Sequence, residues 1–439
     1  MVFSSLMFMC IFLPIVLIAY NLSKNLTYKN TVLIIASLFF YAWGEPIWVV
    51  LLIFSAFVDY INGRIIDKYY ARAGATIALV SSLVINLGLL AMFKYSGFFI
   101  ENINSFLHTS IPNPNFKLPI GISFYTFQTL SYTIDMYRGK TRVQKSFLGF
   151  LAYVSMFPQL IAGPIVTYDE ISDRLYRRKI TAKTVLRGVG VFIFGLGLKV
   201  LLANPLGKLW SQAQAIGFES LSTPLAWMSV IAFSLQLYFD FFGYSLMAVG
   251  LGKMLGFTLP ENFKHPYVSV TMTEFWRRWH ITLGRWFRDY VYIPLGGNRK
   301  GTPRTTINLL IVWLLTGLWH GAGYNYLLWG LILFLIILSE KLWTGKLLNK
   351  HKLFGHVYMI FLIPLTWTVF AVNDITQLGF LFTRLFPFFG KGAWSVFRYD
   401  YLKYLGQYYL FFIAGIFLST TLPYKLLKKV PNRNDPLLL

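Results

Sequence analysis

Long apolar runs separated by short polar loops set the pattern of the chain. Runs near the length of a spanning helix, about 20 residues, lie at 2–20, 75–93, 118–137, 185–203, 224–250, 322–340, 356–373 and 406–423. Shorter or broken runs lie at 31–43, 46–58, 147–166, 306–320 and 376–389. These predict helices that tilt, re-enter or are sheltered by neighbours. The pattern predicts an all-α integral membrane protein with roughly ten to twelve transmembrane helices, plus re-entrant and interfacial segments, in a single domain spanning 1–439. The first run, 2–20, lacks a basic segment before it and a small-residue cleavage site after it. It is also longer than a signal-peptide core, so it reads as a retained span. No internal repeat and no low-complexity segment interrupts the pattern.

The polar loops carry topological information. Basic loops lie at 24–29, 64–72, 138–145, 174–187, 264–304, 341–352 and 425–433, and near-neutral ones at 94–117, 204–223 and 321–325. Lys and Arg concentrate on the cytoplasmic side of a membrane. Loops 138–145 and 174–187 are both basic, yet one apolar run separates them. Both are cytoplasmic only if 147–166 does not cross. That run holds Pro158 and the Gly163-Pro164 pair, which break helices, so it is predicted to be re-entrant. A cytoplasmic 425–433 likewise requires that 376–389, with Pro387, does not cross.

Composition agrees with this class. The chain is 56% hydrophobic and only 13% charged, about half the charge of a soluble domain, and its mean hydropathy is +0.56. No polar stretch is long enough to build a soluble core. The net charge of +23 would suggest nucleic acid in a soluble protein. Here it resides in short inter-helix loops, where it reads as topology and attraction to anionic lipid; no nucleic-acid partner is expected. The single cysteine, Cys10, cannot form an intrachain disulfide or a metal cluster and is expected to be a small core residue. Gly195 and Gly197 are expected to be packing glycines.

Common catalytic signatures are absent from the sequence. There is no G-x-S-x-G elbow, no G-x-x-x-x-G-K-[ST] and no H-E-x-x-H; no metal site is expected. Of six histidines, His108, His351 and His356 read as loop residues and His265 precedes Pro266 at a loop edge. His320 ends the run Leu314-Leu315-Thr316-Gly317-Leu318-Trp319-His320-Gly321. Ionisable groups at membrane depth are costly and point to function; the plainer alternative is a structural histidine bonded to a backbone carbonyl. His280 follows Arg277-Arg278-Trp279. On a continuous helical wheel over 276–289, Trp276, Trp279, Leu283, Trp286 and Phe287 share one face. Arg277, Arg278, Arg285 and Arg288 share the other, with His280 on the rim. Glu274 can pair with Arg278, and Arg285 with Asp289, at i,i+4 spacing. The pattern alone favours an amphipathic helix lying on the cytoplasmic interface as an anchor. The alternative adds a cationic mouth for an anionic donor, since arginine pairs well with phosphate. Asp240, in the apolar stretch before Tyr244, can orient a histidine, carry protons or pair with an arginine. Asp135 and Arg138 form a local i,i+3 pair.

Three blocks resemble the membrane-bound O-acyltransferase family. They are Arg277-Arg278-Trp279-His280; Trp286-Phe287-Arg288-Asp289-Tyr290-Val291-Tyr292-Ile293-Pro294-Leu295-Gly296-Gly297-Asn298; and Thr316-Gly317-Leu318-Trp319-His320-Gly321. Supporting stretches run from Phe40 to Gly44, Pro119 to Gln128 and Pro158 to Ile165. The resemblance is to the bacterial branch that O-acetylates alginate, peptidoglycan and exopolysaccharides. It implies a fold around a central tunnel, with Trp319, Asp240, Tyr244 and Asn325 as tunnel-lining candidates. It also implies His320 as the catalytic histidine and His280 as a second important one toward the cytoplasm. Arg277, Arg278, Arg288 and Asp289 would then form the cytoplasmic donor mouth.

The expected chemistry follows. His320 would act as general base on an acceptor hydroxyl. The donor would be a cytoplasmic acyl thioester such as acetyl-CoA, with no bound cofactor. The acceptor would be an extracytoplasmic polysaccharide, or a separate extracytoplasmic acetyltransferase that passes the group on. Membrane lipid is the other expected partner, and a bacterial inner membrane the expected location. Transfer of D-alanine from a carrier protein to teichoic acid is the alternative reaction. A transporter or polymer channel is the non-enzyme alternative, but it predicts two related halves with paired broken helices, and none is evident. A pure scaffold leaves the Trp-His-Gly histidine unexplained.

Overall fold

The computed structural model describes residues 1–161, 163–389 and 398–427. Among them every regular element is a helix. Contacts divide the chain into two compact units, one of Met1–Ile193 with Tyr244–Glu261, the other of Phe194–Gly243 with Asn262–Leu439.

The first unit holds α1 (Leu13–Asn21), α2 (Leu26–Ala42), α3 (Val49–Lys68), α4 (Ala73–Leu107), α5 (Ile122–Tyr137), α6 (Phe147–Ser155), α7 (Phe157–Leu160), α8 (Tyr168–Tyr176) and most of α9 (Ala182–Gly197). A π-helical turn, Phe8–Phe12, leads into α1. Cys10 lies in that turn and is exposed, not a core residue. Nine-residue α6 and four-residue α7 are too short to span, since nine residues rise about 14 Å. The break in 147–166 thus falls where Pro158 foretold it. Its backbone is satisfied from inside the protein, as membrane depth requires. Ser37 Oγ accepts from Phe157 N at 3.1 Å, and Tyr153 Oη donates to Val166 O at 2.9 Å. Gly121 (φ +79°) lies so close that a Cβ would meet Leu160 O at 2.7 Å. A polar network invisible in the periodicity joins α3 and α4. Buried Asp59 accepts from Ser82 Oγ at 2.6 Å and Asn86 Nδ2 at 2.8 Å, and Ser55 Oγ donates to Asn86 Oδ1 at 2.6 Å.

The second unit holds the end of α9, then α10 (Asn204–Ile216), much of α11 (Thr223–Met254), α12 (Met272–Arg278), α13 (Ile281–Phe287), α14 (Gly301–His320), α15 (Tyr324–Ser339), α16 (Gly345–Lys350), α17 (Lys352–Ala371), α18 (Ile375–Leu385), α19 (Asp400–Ser419) and α20 (Leu422–Leu427). Eleven-residue α18 rises about 16 Å and is too short to cross. Among the described residues six helical segments are long and apolar enough to span: Val49–Lys68, Ala73–Leu107, Ala182–Ile216, Thr223–Met254, Tyr324–Lys350 and Lys352–Ala371; Phe8–Asn21 and Leu26–Ala42 are shorter apolar helices. The run 118–137 becomes sixteen-residue α5, most of it buried, a helix sheltered by its neighbours.

Helices α14 and α15 approach backbone to backbone. A Cβ on Gly317 would lie 2.3 Å from Tyr326 O, and one on Gly330 would lie 2.5 Å from Trp313 O. Small residues permit such crossings. Gly197 differs from the packing role expected of it, since a Cβ there would meet nothing within 4 Å; Gly195 does pack, its carbonyl 2.6 Å from a Cβ built on Gly243. Gly317→Ala is therefore expected to cost about 1–3 kcal/mol through overpacking. Gly197→Ala is expected to be neutral or slightly stabilising. Thermal unfolding of the detergent-purified variants checks both; equal melting temperatures would contradict the crossing.

Candidate active site

The Arg-Arg-Trp-His segment is not one surface helix. Helix α12 ends at Arg278, His280 adopts φ +46°, ψ +53°, and α13 starts at Ile281. The continuous wheel over 276–289 is thus broken in its middle. A left-handed conformation is unfavourable for a residue with a Cβ, so the surroundings must hold the turn. Two side chains do so. Glu340 accepts from Met272 N (2.6 Å), Thr273 N (2.8 Å) and Thr273 Oγ1 (2.6 Å), occupying the start of α12. Asn262 accepts from Thr282 N (3.1 Å) and Thr282 Oγ1 (2.7 Å), and its carbonyl accepts from Ile281 N (3.0 Å). These satisfy N–H groups that a helix start leaves open. Met272, Phe275, Trp279 and Thr282 are buried, so the segment belongs to the interior and is not an interfacial anchor.

His280 is 2% exposed, and neither ring nitrogen has a partner among the described residues. It lies between α12 and α13, outside the membrane-spanning helices. Burial pushes its imidazole down to about 3, because an apolar site penalises the charged form. At neutral pH it is a neutral ring, and so no part of a cationic mouth.

His320 is the last residue of α14 and is half-buried. Its ring packs edge-on against Trp329 (5.2 Å between centroids), Phe370 (5.0 Å) and Trp319 (4.9 Å). The ring of Trp319 also meets His280 at 5.9 Å. The two histidines, 40 residues apart in sequence, thus flank one indole. More indoles join the two sides. Trp276 contacts Trp313 (5.1 Å) and Trp329 (5.5 Å), and Trp367 contacts Trp279 (5.0 Å) and Trp329 (5.9 Å). The flanking glycine has a steric reason, since a Cβ on Gly321 would lie 2.2 Å from the Tyr326 ring. Asn325 is buried and donates to Phe370 O at 2.9 Å, fixing the wall on which His320 rests.

A cavity of about 540 Å³ is lined by His280, Trp276, Arg277, Arg285, Arg288 and Thr316, among others. It adjoins a second of about 1050 Å³, which shares Arg277 and Tyr292. The second carries Lys341, Lys346, Lys352 and His356. Its two carboxylates are engaged elsewhere, Glu274 with Arg278 at 2.6 Å and Glu340 with the start of α12. Of the arginines expected at the mouth, Arg277 lines both cavities and Arg288 the smaller one. Arg278 lines neither. Asp289 pairs with Arg288 at 2.7 Å.

Among the described residues Asp240 orients no histidine and pairs with no arginine. It forms an ion pair with Lys199 at 2.5 Å, with Gln236 Nε2 at 3.5 Å. Lys199 sits in the π-helical turn Leu198–Ala203. Tyr244 belongs to the other compact unit, where its ring stacks on Phe3 at 4.6 Å. Glu340 and Asn262 escaped notice in the sequence. Glu340, a lone acid closing an apolar run, carried the signal; Asn262 carried none.

These features are those of a multi-pass membrane enzyme with histidines packed among aromatic rings beside a cationic cavity. The profile of the membrane-bound O-acyltransferase family matches residues 114–349, which contain both histidines and both cavities except for Lys352 and His356. The chain belongs to that family and is an acyltransferase. It is 38% identical over 405 residues to the probable alginate O-acetylase AlgI of Pseudomonas aeruginosa, covering 90% of this chain and 76% of the relative. It is 33% identical over 414 residues to the peptidoglycan O-acetyltransferase of Helicobacter pylori, covering 85% and 78%. To the teichoic acid D-alanyltransferase of Bacillus subtilis it is 28% identical over 225 residues, covering 48% and 56%.

Proposed function

We propose that this O-acyltransferase moves an acetyl group from a cytoplasmic thioester, acetyl-CoA or its equivalent, to a hydroxyl on the far side of a bacterial inner membrane. The acceptor is a cell-envelope polysaccharide, reached directly or through an extracytoplasmic acetyltransferase partner. The observation that carries this reading is the placement of His280 and His320 on one indole, Trp319, beside a cavity that turns cationic away from them. The names of the relatives from Pseudomonas and Helicobacter support the acetyl group and the polymer acceptor.

In this scheme the phosphates of the donor rest among Arg277, Lys341, Lys346 and Lys352, where charge-assisted hydrogen bonds hold them. The acyl arm extends through the smaller, more apolar cavity toward His280. A neutral His280 can donate one hydrogen bond to the thioester carbonyl as charge develops there. His320 takes the proton of the attacking hydroxyl, the hydroxyl oxygen bonds to the acyl carbon, and the thiolate leaves and is reprotonated. Trp319 stands between the two roles and keeps water from the thioester.

The test uses membranes containing the chain, with any partner it requires, and acetyl-CoA labelled in the acetyl group. Label is expected in the polysaccharide fraction, or on the partner, and not in membranes lacking the chain. Label passed from a D-alanyl carrier protein, with none from acetyl-CoA, would replace this reading by the reaction named for the Bacillus relative.

A further inference from the structure

The first unit gathers positive charge that no carboxylate among the described residues balances. Arg174 at the end of α8, Lys179 in the following loop, Arg187 on α9 and Lys253 bound a cavity of about 230 Å³. Thr184, Gly256, Phe257 and Thr258 complete it, and no acid lines it. Among the described residues none of the four cations has a carboxylate within ion-pair distance. Arg187 Nε is buried without a hydrogen-bond partner.

Behind the cavity wall lies a second anomaly. Arg178 is 8% exposed. Its Nε donates to Tyr20 Oη at 2.8 Å and its Nη1 to the carbonyls of Arg174 (3.0 Å) and Leu175 (3.4 Å). The guanidinium carbon lies 4.7 Å from the centroid of the Phe257 ring. Nη2 has no partner. Lys29 Nζ also stands 4.7 Å from the centroid of the Tyr20 ring. These partners of Arg178 are all neutral, and a buried charge held by neutral groups is costly. Gly256 (φ +85°) keeps the backbone tight here, since a Cβ would meet Ile180 Cγ1 at 2.9 Å and Arg178 Cδ at 3.3 Å.

We propose that this cavity binds a phosphate-bearing anion, the headgroup of an anionic membrane lipid. Its four cations and the Thr258 hydroxyl match the acceptor oxygens of a phosphodiester. Its volume lies below the range of about 300–1,000 Å³ typical of sites that enclose a whole small molecule, and so suits a headgroup whose tails lie elsewhere. Its position favours lipid over a soluble phosphate. The cavity sits where the spanning segment Ala182–Ile216 begins and Thr223–Met254 ends, the height at which headgroups lie. A bound headgroup would fix α8, the start of α9 and the end of α11 to one another and offset the buried charge of Arg178.

The experiment compares detergent-purified wild type with Arg187→Gln/Lys253→Gln, and with the control Lys24→Gln/Lys140→Gln, which removes the same charge elsewhere. Thermal unfolding and native mass spectrometry are read with added phosphatidylglycerol, phosphatidylcholine or inorganic phosphate. Phosphatidylglycerol is expected to stabilise wild type and control and to stay bound in the mass spectrometer. The double variant should bind it about tenfold more weakly, while phosphatidylcholine has no site-dependent effect. Equal stabilisation of all three proteins by phosphatidylglycerol would overturn the proposal in favour of diffuse attraction. Stabilisation by inorganic phosphate alone, lost in the double variant, would overturn the lipid as the source. If the double variant does not fold, Lys253→Gln takes its place with the same outcomes.

Discussion

Membranes carrying His320→Ala are expected to lose about 10²- to 10⁴-fold of their acyl-transfer rate, the range general-base catalysis supplies, while the chain still folds. The imidazole closes α14 and packs edge-on against the rings of Trp319, Trp329 and Phe370. Trp329 in turn contacts Phe370 at 5.2 Å and Trp367 at 5.9 Å. Loss of one half-buried ring leaves this cluster intact, so the cost in stability is at the lower end for aromatic truncation, about 3 kcal/mol. His320→Gln, which restores part of the volume but no base, should be as inactive and melt closer to wild type. The measurement is initial rate of label transfer at matched expression, with thermal unfolding alongside. A His320→Ala protein that transfers at more than a tenth of the wild-type rate would make this residue structural and move the base to His280.

That site was partly legible in the sequence because depth and composition mark it. An ionisable residue closing an apolar run, set between tryptophan and glycine, stands out at His320. The break in 147–166 was legible for a similar reason, since Pro158 and Gly163-Pro164 act on their own neighbours. The errors fall where the decisive contact is distant. The helical wheel over 276–289 treats backbone as continuous, but the left-handed turn at His280 is imposed by Asn262 and Glu340, 18 and 60 positions away. Glycine or asparagine would have marked such a turn; histidine does not. Asp240 offered three equal readings, and its actual partner, Lys199, lies 41 positions earlier on the preceding hydrophobic segment. The Asp59 network escaped for the same reason, its members lying 23 to 31 positions apart. Periodicity reports which face is apolar; it does not report which polar residue on another helix completes a buried one.

Glu340→Ala should be the most damaging substitution outside the histidines. Glu340 closes α15 inside a π-helical turn, Glu340–Thr344, and such insertions recur at functional sites. Both carboxylate oxygens are spent on α12: one on Met272 N, the other on Thr273 N and Thr273 Oγ1, with Tyr358 Oη 3.4 Å from the first. Alanine leaves two backbone N–H groups without an acceptor in a buried place, at about 1–3 kcal/mol each. It also removes a negative charge from the positive end of the α12 dipole. The melting temperature should fall. The transfer rate should fall further than stability explains, because α12 carries Arg277 to the cavity and leads into the strained turn at His280. Glu340→Gln separates the two effects. Its amide keeps one acceptor oxygen but turns an N–H donor toward a backbone N–H, so the fold should survive while α12 shifts. The expected signature is a higher KM for the thioester donor, measured well below the melting temperature, with a smaller change in kcat. Wild-type kinetics in Glu340→Gln would show that α12 is positioned by its buried apolar residues alone, and that the carboxylate serves only stability.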